Sequence, residues 1–158
     1  MSNKLIRFFL VLGLVIFSLE STLTAADTVP FPSLPKGAGK IDADAPAVFT
    51  TTASGLKYRI LRKGSAKHAK ASDSVTVNYH GWIPGGKVFD SSYARGESIS
   101  FGLRQVIAGW TEGMQLVGEG GMIELLIPSN LGYGDRGAPP VIPPKATLSF
   151  LVELIQVN

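Results

Sequence analysis

The chain has 158 residues, 45% of them hydrophobic and 17% charged, and a formal net charge of +3. Those values describe one core of ordinary size with extensions, and not a strongly basic protein of the kind that binds nucleic acid. With no cysteine and two histidines, His68 and His80, the chain excludes disulfides, thiol nucleophiles and a lipoprotein attachment site, and it lacks ligands for a Cys/His zinc site.

Lys4 and Arg7 precede an apolar run from Phe8 to Phe17, followed by a polar stretch from Glu20 and small residues at Thr24, Ala25 and Ala26. This order is that of a signal peptide, residues 1–26, cut after Ala26. The run is shorter than the roughly 20 residues needed to span a bilayer. The expectation is an exported protein, periplasmic or secreted, without stable membrane insertion after cleavage. Residues 27–47 carry Pro30, Pro32, Pro35, Gly37 and Gly39 and no sustained periodicity, which predicts an extended linker or arm. Phe31 and Leu34 are available there to dock on the domain or on a partner. The compact domain is expected over 48–158.

Leu56 to Leu61 alternates as a strand. The basic cluster Lys57, Arg59, Arg62, Lys63, Lys67, His68 and Lys70 around it reads as the solvated face of an edge strand and its loop. The alternative is a site for a polyanion or an anionic membrane surface. Val75, Val77 and Tyr79 alternate with Thr76, Asn78 and His80, a half-buried strand. Pro84-Gly85-Gly86 turns the chain into Lys87–Asp90. Ser98–Phe101 is a short strand, Met122–Ile127 a central one and Thr147–Val157 a long closing one.

Leu103, Val106, Ile107, Trp110, Met114 and Val117 recur at three- and four-residue steps, which predicts one helix over 103–117 with Gly118 as its stop. Gly109 and Gly113 inside it cost roughly 1 kcal/mol each against alanine, so packing must hold the helix, and the glycines would admit the sheet at close range. The fold class is α+β, with an antiparallel sheet of about five or six strands wrapped around one short α-helix.

There is no Gly-x-Ser-x-Gly elbow and no phosphate loop ahead of a helix. Asp42 and Asp44 lie in the arm, where nothing preorganises them as a carboxylate pair. What remains is a set of aromatic and apolar residues at loop edges, namely Tyr79, Phe89, Trp110, Tyr133, Val141, Ile142 and Phe150. Pro128–Pro144, dense in glycine and proline, is longer than an idle connection.

Five blocks of these residues, Tyr79-His80-Gly81, Gly86-Lys87-Val88-Phe89-Asp90-Ser91-Ser92, Val106-Ile107-Ala108-Gly109-Trp110, Tyr133-Gly134 and Ile142 through Phe150, closely resemble the FKBP-type peptidyl-prolyl cis-trans isomerases, in order and at family-like spacing. The resemblance runs from about Leu56 to the C-terminus. It implies a shallow apolar pocket between sheet and helix, with Trp110 as its floor and Tyr79, Phe89, Val106, Ile107, Ile142 and Phe150 as its walls. Asp90 and Tyr133 would be its polar members, and Arg95 would lie near the aspartate. Asp90, Tyr133, Phe89 and Trp110 are thereby expected to carry catalysis, and Tyr79, Val106, Ile107, Ile142, Phe150 and Arg95 to bind substrate.

Ile99, Gln105 and Ala138 depart from the familiar eukaryotic pattern of an aromatic, a glutamate and a loop histidine. The resemblance implies no cofactor and no metal. The partners it implies are proline-containing unfolded or nascent polypeptides and macrocyclic inhibitors of the rapamycin type. A chaperone or peptide-binding module using the same pocket is the second reading.

Overall fold

The computed structural model describes residues 29–158, so the expected signal peptide lies outside the described residues. The strands are β1 (Thr50–Thr51), β2 (Lys57–Arg62), β3 (Ser74–Trp82), β4 (Val88–Ser91), β5 (Ile99–Gly102), β6 (Met122–Ile127) and β7 (Leu148–Val157). Two helices, α1 (Ser92–Arg95) and α2 (Ala108–Leu116), and a 3-10 turn at Ser129–Leu131 complete the secondary structure. All seven strands form one antiparallel sheet in the order β1-β2-β6-β7-β3-β4, with β5 also paired to β3. The expected α+β architecture holds; the seventh strand is the two-residue β1, too short for a period-2 pattern to reveal.

The period of two sorts the sheet into faces. Val75, Val77 and Tyr79 of β3, Ile123, Leu125 and Ile127 of β6, and Leu148, Phe150, Val152 and Leu154 of β7 are buried in one core with Trp110, Met114 and Val117. This is the face that receives α2. A nine-residue helix is marginal alone. Burying Trp110 and Met114, at about 1.5–3 kcal/mol for a side chain of that kind, outweighs what its glycines cost.

Helix α2 is shorter than the predicted 103–117. Leu103, Val106 and Ile107 lie before it, in a turn held by Leu103 N–H donating to the Asp73 carbonyl and by the Thr111 hydroxyl donating to the Leu103 carbonyl at 2.6 Å. Ile107 is extended, with ψ of 149°. Three- and four-residue steps recur in a turn folded against the same core, so periodicity alone extended the helix across it. The helix ends at Val117, also extended, and Gly118 serves closeness and not a left-handed stop: a Cβ there would meet the Ser65 carbonyl oxygen at 1.9 Å.

The opposite face carries a second cluster of Leu61, Met122 and Leu151, packed by Ile41 and Trp82. Residues 29–47 lie across this face, fastened by Arg59. Its Nε donates to Glu124 Oε2 at 2.7 Å, and its other nitrogens donate to the carbonyls of Val29, Ala47 and Pro30 at 2.6, 3.0 and 2.8 Å. The guanidinium also faces the rings of Phe31 and Phe49 at 4.7 and 4.6 Å. Arg59 is 1% exposed, so the solvated-face reading fails there, because the arm covers that side of the strand. Arg62, Lys63 and Lys67 are likewise paired, with Glu153, Asp44 and Glu119. These pairings remove most of the free charge on which the polyanion alternative rested.

Two predictions follow from this packing. A Cβ on Gly109 would stand 2.5 Å from Ile127 Cγ2, and one on Gly113 would stand 2.7 Å from Leu125 Cδ1. Gly109→Ala is therefore expected to destabilise the fold by roughly 1–3 kcal/mol through overpacking, despite alanine's better helix propensity; a urea midpoint at or above that of the parent would refute the contact. Arg59→Leu leaves Glu124 buried without its partner, at a cost of about 3–5 kcal/mol. Burial already pushes the Glu124 carboxyl up, and Arg59 offsets only part of that. A carboxyl raised in the folded state binds protons more tightly there, so the deficit should shrink as pH falls toward about 4.3, the ordinary glutamate value, in denaturation curves taken at several pH values.

Candidate active site

On the core side of the sheet, a cleft of about 610 Å³ opens between β3, β4, β5, the turn before α2 and the loop after β6. Its size is ordinary for a small-ligand site. Its lining comprises Tyr79, Phe89, Asp90, Arg95, Ile99, Phe101, Gln105, Val106, Ile107, Trp110, Tyr133 and Phe150.

Trp110, on the first turn of α2 and 4% exposed, is the centre of this lining. Its ring meets Tyr79, Phe101 and Phe150 edge to face, at centroid distances of 5.4, 5.7 and 5.3 Å and interplanar angles of 87°, 79° and 87°. Phe89 stands edge-on to Phe150 at 5.4 Å. These are the favoured arrangements of aromatic quadrupoles, in which ring edges point at ring faces. Register explains the convergence: Gly81 is opposite Phe150 on β7 and Asp90 on β4. A Cβ on Gly81 would stand 2.7 Å from both the Phe89 and the Phe150 rings, so glycine leaves them the space they occupy.

The polar rim is a three-membered network. Asp90 accepts from the Tyr79 hydroxyl on one oxygen and from the Arg95 guanidinium on the other, and Arg95 also donates to the Tyr79 hydroxyl at 3.0 Å. The guanidinium lies 5.7 Å from the Tyr79 ring centroid. Partial burial pushes the Asp90 carboxyl up, but the bonds from Tyr79 and Arg95 outweigh it and hold the group below the usual carboxylate range. Burial, and then the bond to Asp90, push the Tyr79 phenol up. At neutral pH the network is thus a carboxylate with its oxygens engaged and a phenol that keeps its proton. Such a rim fixes shape and field, and it offers neither a free base nor a ready acid. One carboxylate without histidine is no metal-ligand set.

Nine of the ten expected site residues line this one cleft: Tyr79, Phe89, Asp90, Arg95, Val106, Ile107, Trp110, Tyr133 and Phe150. Ile142 does not. It is 6% exposed within the core cluster, and its N–H donates to the Ala138 carbonyl in the loop after β6. It supports the loop from behind, because the Ala138–Ile142 bridge turns that segment inward. Tyr133 is 44% exposed, and among the described residues its hydroxyl has no hydrogen-bond partner; Asp90 is bound by Tyr79 and Arg95 and not by Tyr133. Phe101 was missed. It follows Ser100 in the alternation of β5 and could have been found from the inward phase of Phe101 opposite Val75.

The family model for FKBP-type peptidyl-prolyl cis-trans isomerases matches residues 65–155. A probable FKBP-type peptidyl-prolyl cis-trans isomerase of Haemophilus influenzae is 46% identical over 147 residues, covering 89% of this chain and 61% of that protein. The isomerase FkpA of Escherichia coli is 50% identical over 108 residues, 68% of this chain and 40% of FkpA. The chain thus spans between two fifths and about three fifths of the length of these relatives. Among solved structures, Escherichia coli FkpA superposes with a TM-score of 0.67 at 48% identity, covering 70% of this chain and 51% of that one. A peptidyl-prolyl cis-trans isomerase from Pseudomonas syringae gives 0.65 at 36% identity, covering 70% and 80%. Sequence blocks, sheet, cleft and relatives agree, and the chain belongs to the FKBP-type peptidyl-prolyl cis-trans isomerase family.

Proposed function

We propose that this chain accelerates rotation about X-Pro bonds in exported, unfolded polypeptides, with the aromatic cleft around Trp110 as its site. The observation that carries the reading is the ring of edge-to-face aromatics about a buried indole, open on one side. Rotation of an amide breaks its resonance across a barrier near ~20 kcal/mol and requires no covalent catalysis. Resonance puts positive charge on the nitrogen and negative charge on the oxygen, and twisting removes much of that separation. An apolar cleft therefore disfavours the planar amide relative to the twisted one, which is differential binding of the transition state. Phe89, Phe150 and Trp110 would grip the pyrrolidine ring. The Tyr133 hydroxyl, without a hydrogen-bond partner among the described residues, would donate to a backbone carbonyl of the substrate, and Asp90, held by Tyr79 and Arg95, would keep a fixed negative field at one edge.

Macrocyclic inhibitors of the rapamycin type would occupy the same cleft. The leader-like pattern of residues 1–26 supports export, and among the described residues no helix is long and apolar enough to cross a membrane. A chaperone role is the second reading. It is favoured by apolar exposure at the rim, where Ile99 and Tyr133 are 36% and 44% exposed, and by Val141, 54% exposed in the loop that carries Tyr133.

In a protease-free assay, the chain should accelerate cis-trans exchange of short X-Pro peptides, and a panel of residues before proline reports its preference. Asp90→Ala is expected to lower kcat/KM on the order of tenfold, about 1.4 kcal/mol of transition-state stabilisation. Suppression of aggregation of a proline-free client should survive that change, and a variant as active as the parent would remove Asp90 from the site.

The pH dependence has a definite sign. Asp90 is depressed in the folded chain, so its contribution is present above the ordinary aspartate value of about 3.9 and is lost as pH falls through the lower folded value. Activity should stay level from neutral pH down to about 5 and fall only in stronger acid. Arg95→Ala removes a depressing partner and should move that acid limb upward in pH; an unmoved limb would show that Asp90 does not govern it.

A further inference from the structure

Glu153 lies on β7 on the side of the sheet away from the aromatic cleft, yet its carboxylate gathers three partners from three parts of the chain. Oε2 accepts from Arg62 of β2 at 2.6 Å, and Oε1 accepts from the Gly39 N–H of the arm at 3.0 Å and from the Tyr93 hydroxyl of α1. Glu153 is 9% exposed. Directly opposite it across the β3–β7 pairing stands Asn78. The Asn78 side-chain oxygen accepts from the hydroxyl of Ser92, the residue before Tyr93 and itself fully buried. Ser92 also accepts from the Tyr79 N–H at 2.9 Å.

Two facing residues of the sheet therefore hold two consecutive residues of α1. That helix is a single turn, closed by Gly96 in the left-handed conformation, and Arg95 is its last residue. A lone turn has no helical stability of its own, so its orientation is set by what grips it. The arm fits closely at the same point: a Cβ on Gly39 would stand 2.1 Å from Arg62 Nη1, and the Gly37 Cβ position lies 4.0 Å from the Tyr93 ring.

We propose that Tyr93 and Glu153 are positioning residues for the proline site, clamping α1 so that Arg95 is delivered to Asp90 and Tyr79, with the arm completing the clamp through Gly39. The inference rests on the isomerase reading for its effect on rate, but the geometry it asserts is independent of activity. Neither residue lines the cleft, so their removal acts on catalysis only through Arg95. Loosening α1 lets the guanidinium leave the carboxylate, and Asp90 then titrates closer to its ordinary value.

The test uses the full chain and two readouts, kcat/KM on an X-Pro peptide and the Asp90 carboxyl titration followed by NMR. Tyr93→Phe keeps the ring and removes only the hydroxyl, and Glu153→Gln, if folded, provides a second probe. Both are expected to raise the Asp90 midpoint and to lower kcat/KM about three- to tenfold, the effect of losing one hydrogen bond of ordinary net strength. In an Arg95→Ala background, Tyr93→Phe should change neither quantity further, because its route is already cut. An unchanged Asp90 midpoint in Tyr93→Phe, or a loss that adds in full to that of Arg95→Ala, would overturn the proposal. If the parent chain proves inactive while the midpoint still moves, the clamp stands and the isomerase reading falls.

Discussion

Everything in the cleft depends on how closely α2 can approach the sheet. Gly109 and Gly113 bring the helix backbone against Ile127 and Leu125 of β6, at a separation no side chain would permit. Only at that distance does Trp110 reach the level of Tyr79 and Phe150, which project from β3 and β7. The helix gives up intrinsic propensity at both positions and more than recovers it by burying Trp110 and Met114. The constraint is steric before it is chemical, and the aromatic geometry is its consequence.

Polar chemistry is divided between the faces of the sheet. On the cleft side, a carboxylate, a phenol and a guanidinium satisfy one another at the edge of the apolar walls. On the far side, Arg59 and Glu124 form a buried pair whose remaining donors go to backbone carbonyls of the arm. A buried ion pair contributes little unless its other hydrogen-bonding groups are met. Here the arm meets them, which makes residues 29–47 part of the folded body and not a free linker.

Much of this was legible in the residues. Alternation located β2, β3 and β7, a continuous apolar run located β6, which is buried on both faces, turn context located β4 and β5, and hydrophobic steps located the helix. Its length was misjudged because the turn at 103–107 buries Leu103 with the same spacing. The cleft was legible through the family resemblance, not through periodicity, since Phe89, Tyr133 and Trp110 are far apart in sequence and carry no local signal of convergence. Ile142 lies in the core cluster, and a core residue behind a loop and one facing a ligand look alike in sequence. The role of Arg59 was hidden for the converse reason: an arginine in a basic run reads as solvated until the segment covering it is known.

The order of the strands in the chain differs from their order in space. β7, the last of these strands in sequence, lies between β6 and β3 and hydrogen-bonds to both. Among the described residues, β7 alone joins the β1–β2–β6 group to the β3–β4–β5 group. Its pairing to β3 is long-range, the kind of contact that forms slowly. Until that pairing forms, the facing edges of both groups are open to association with other chains.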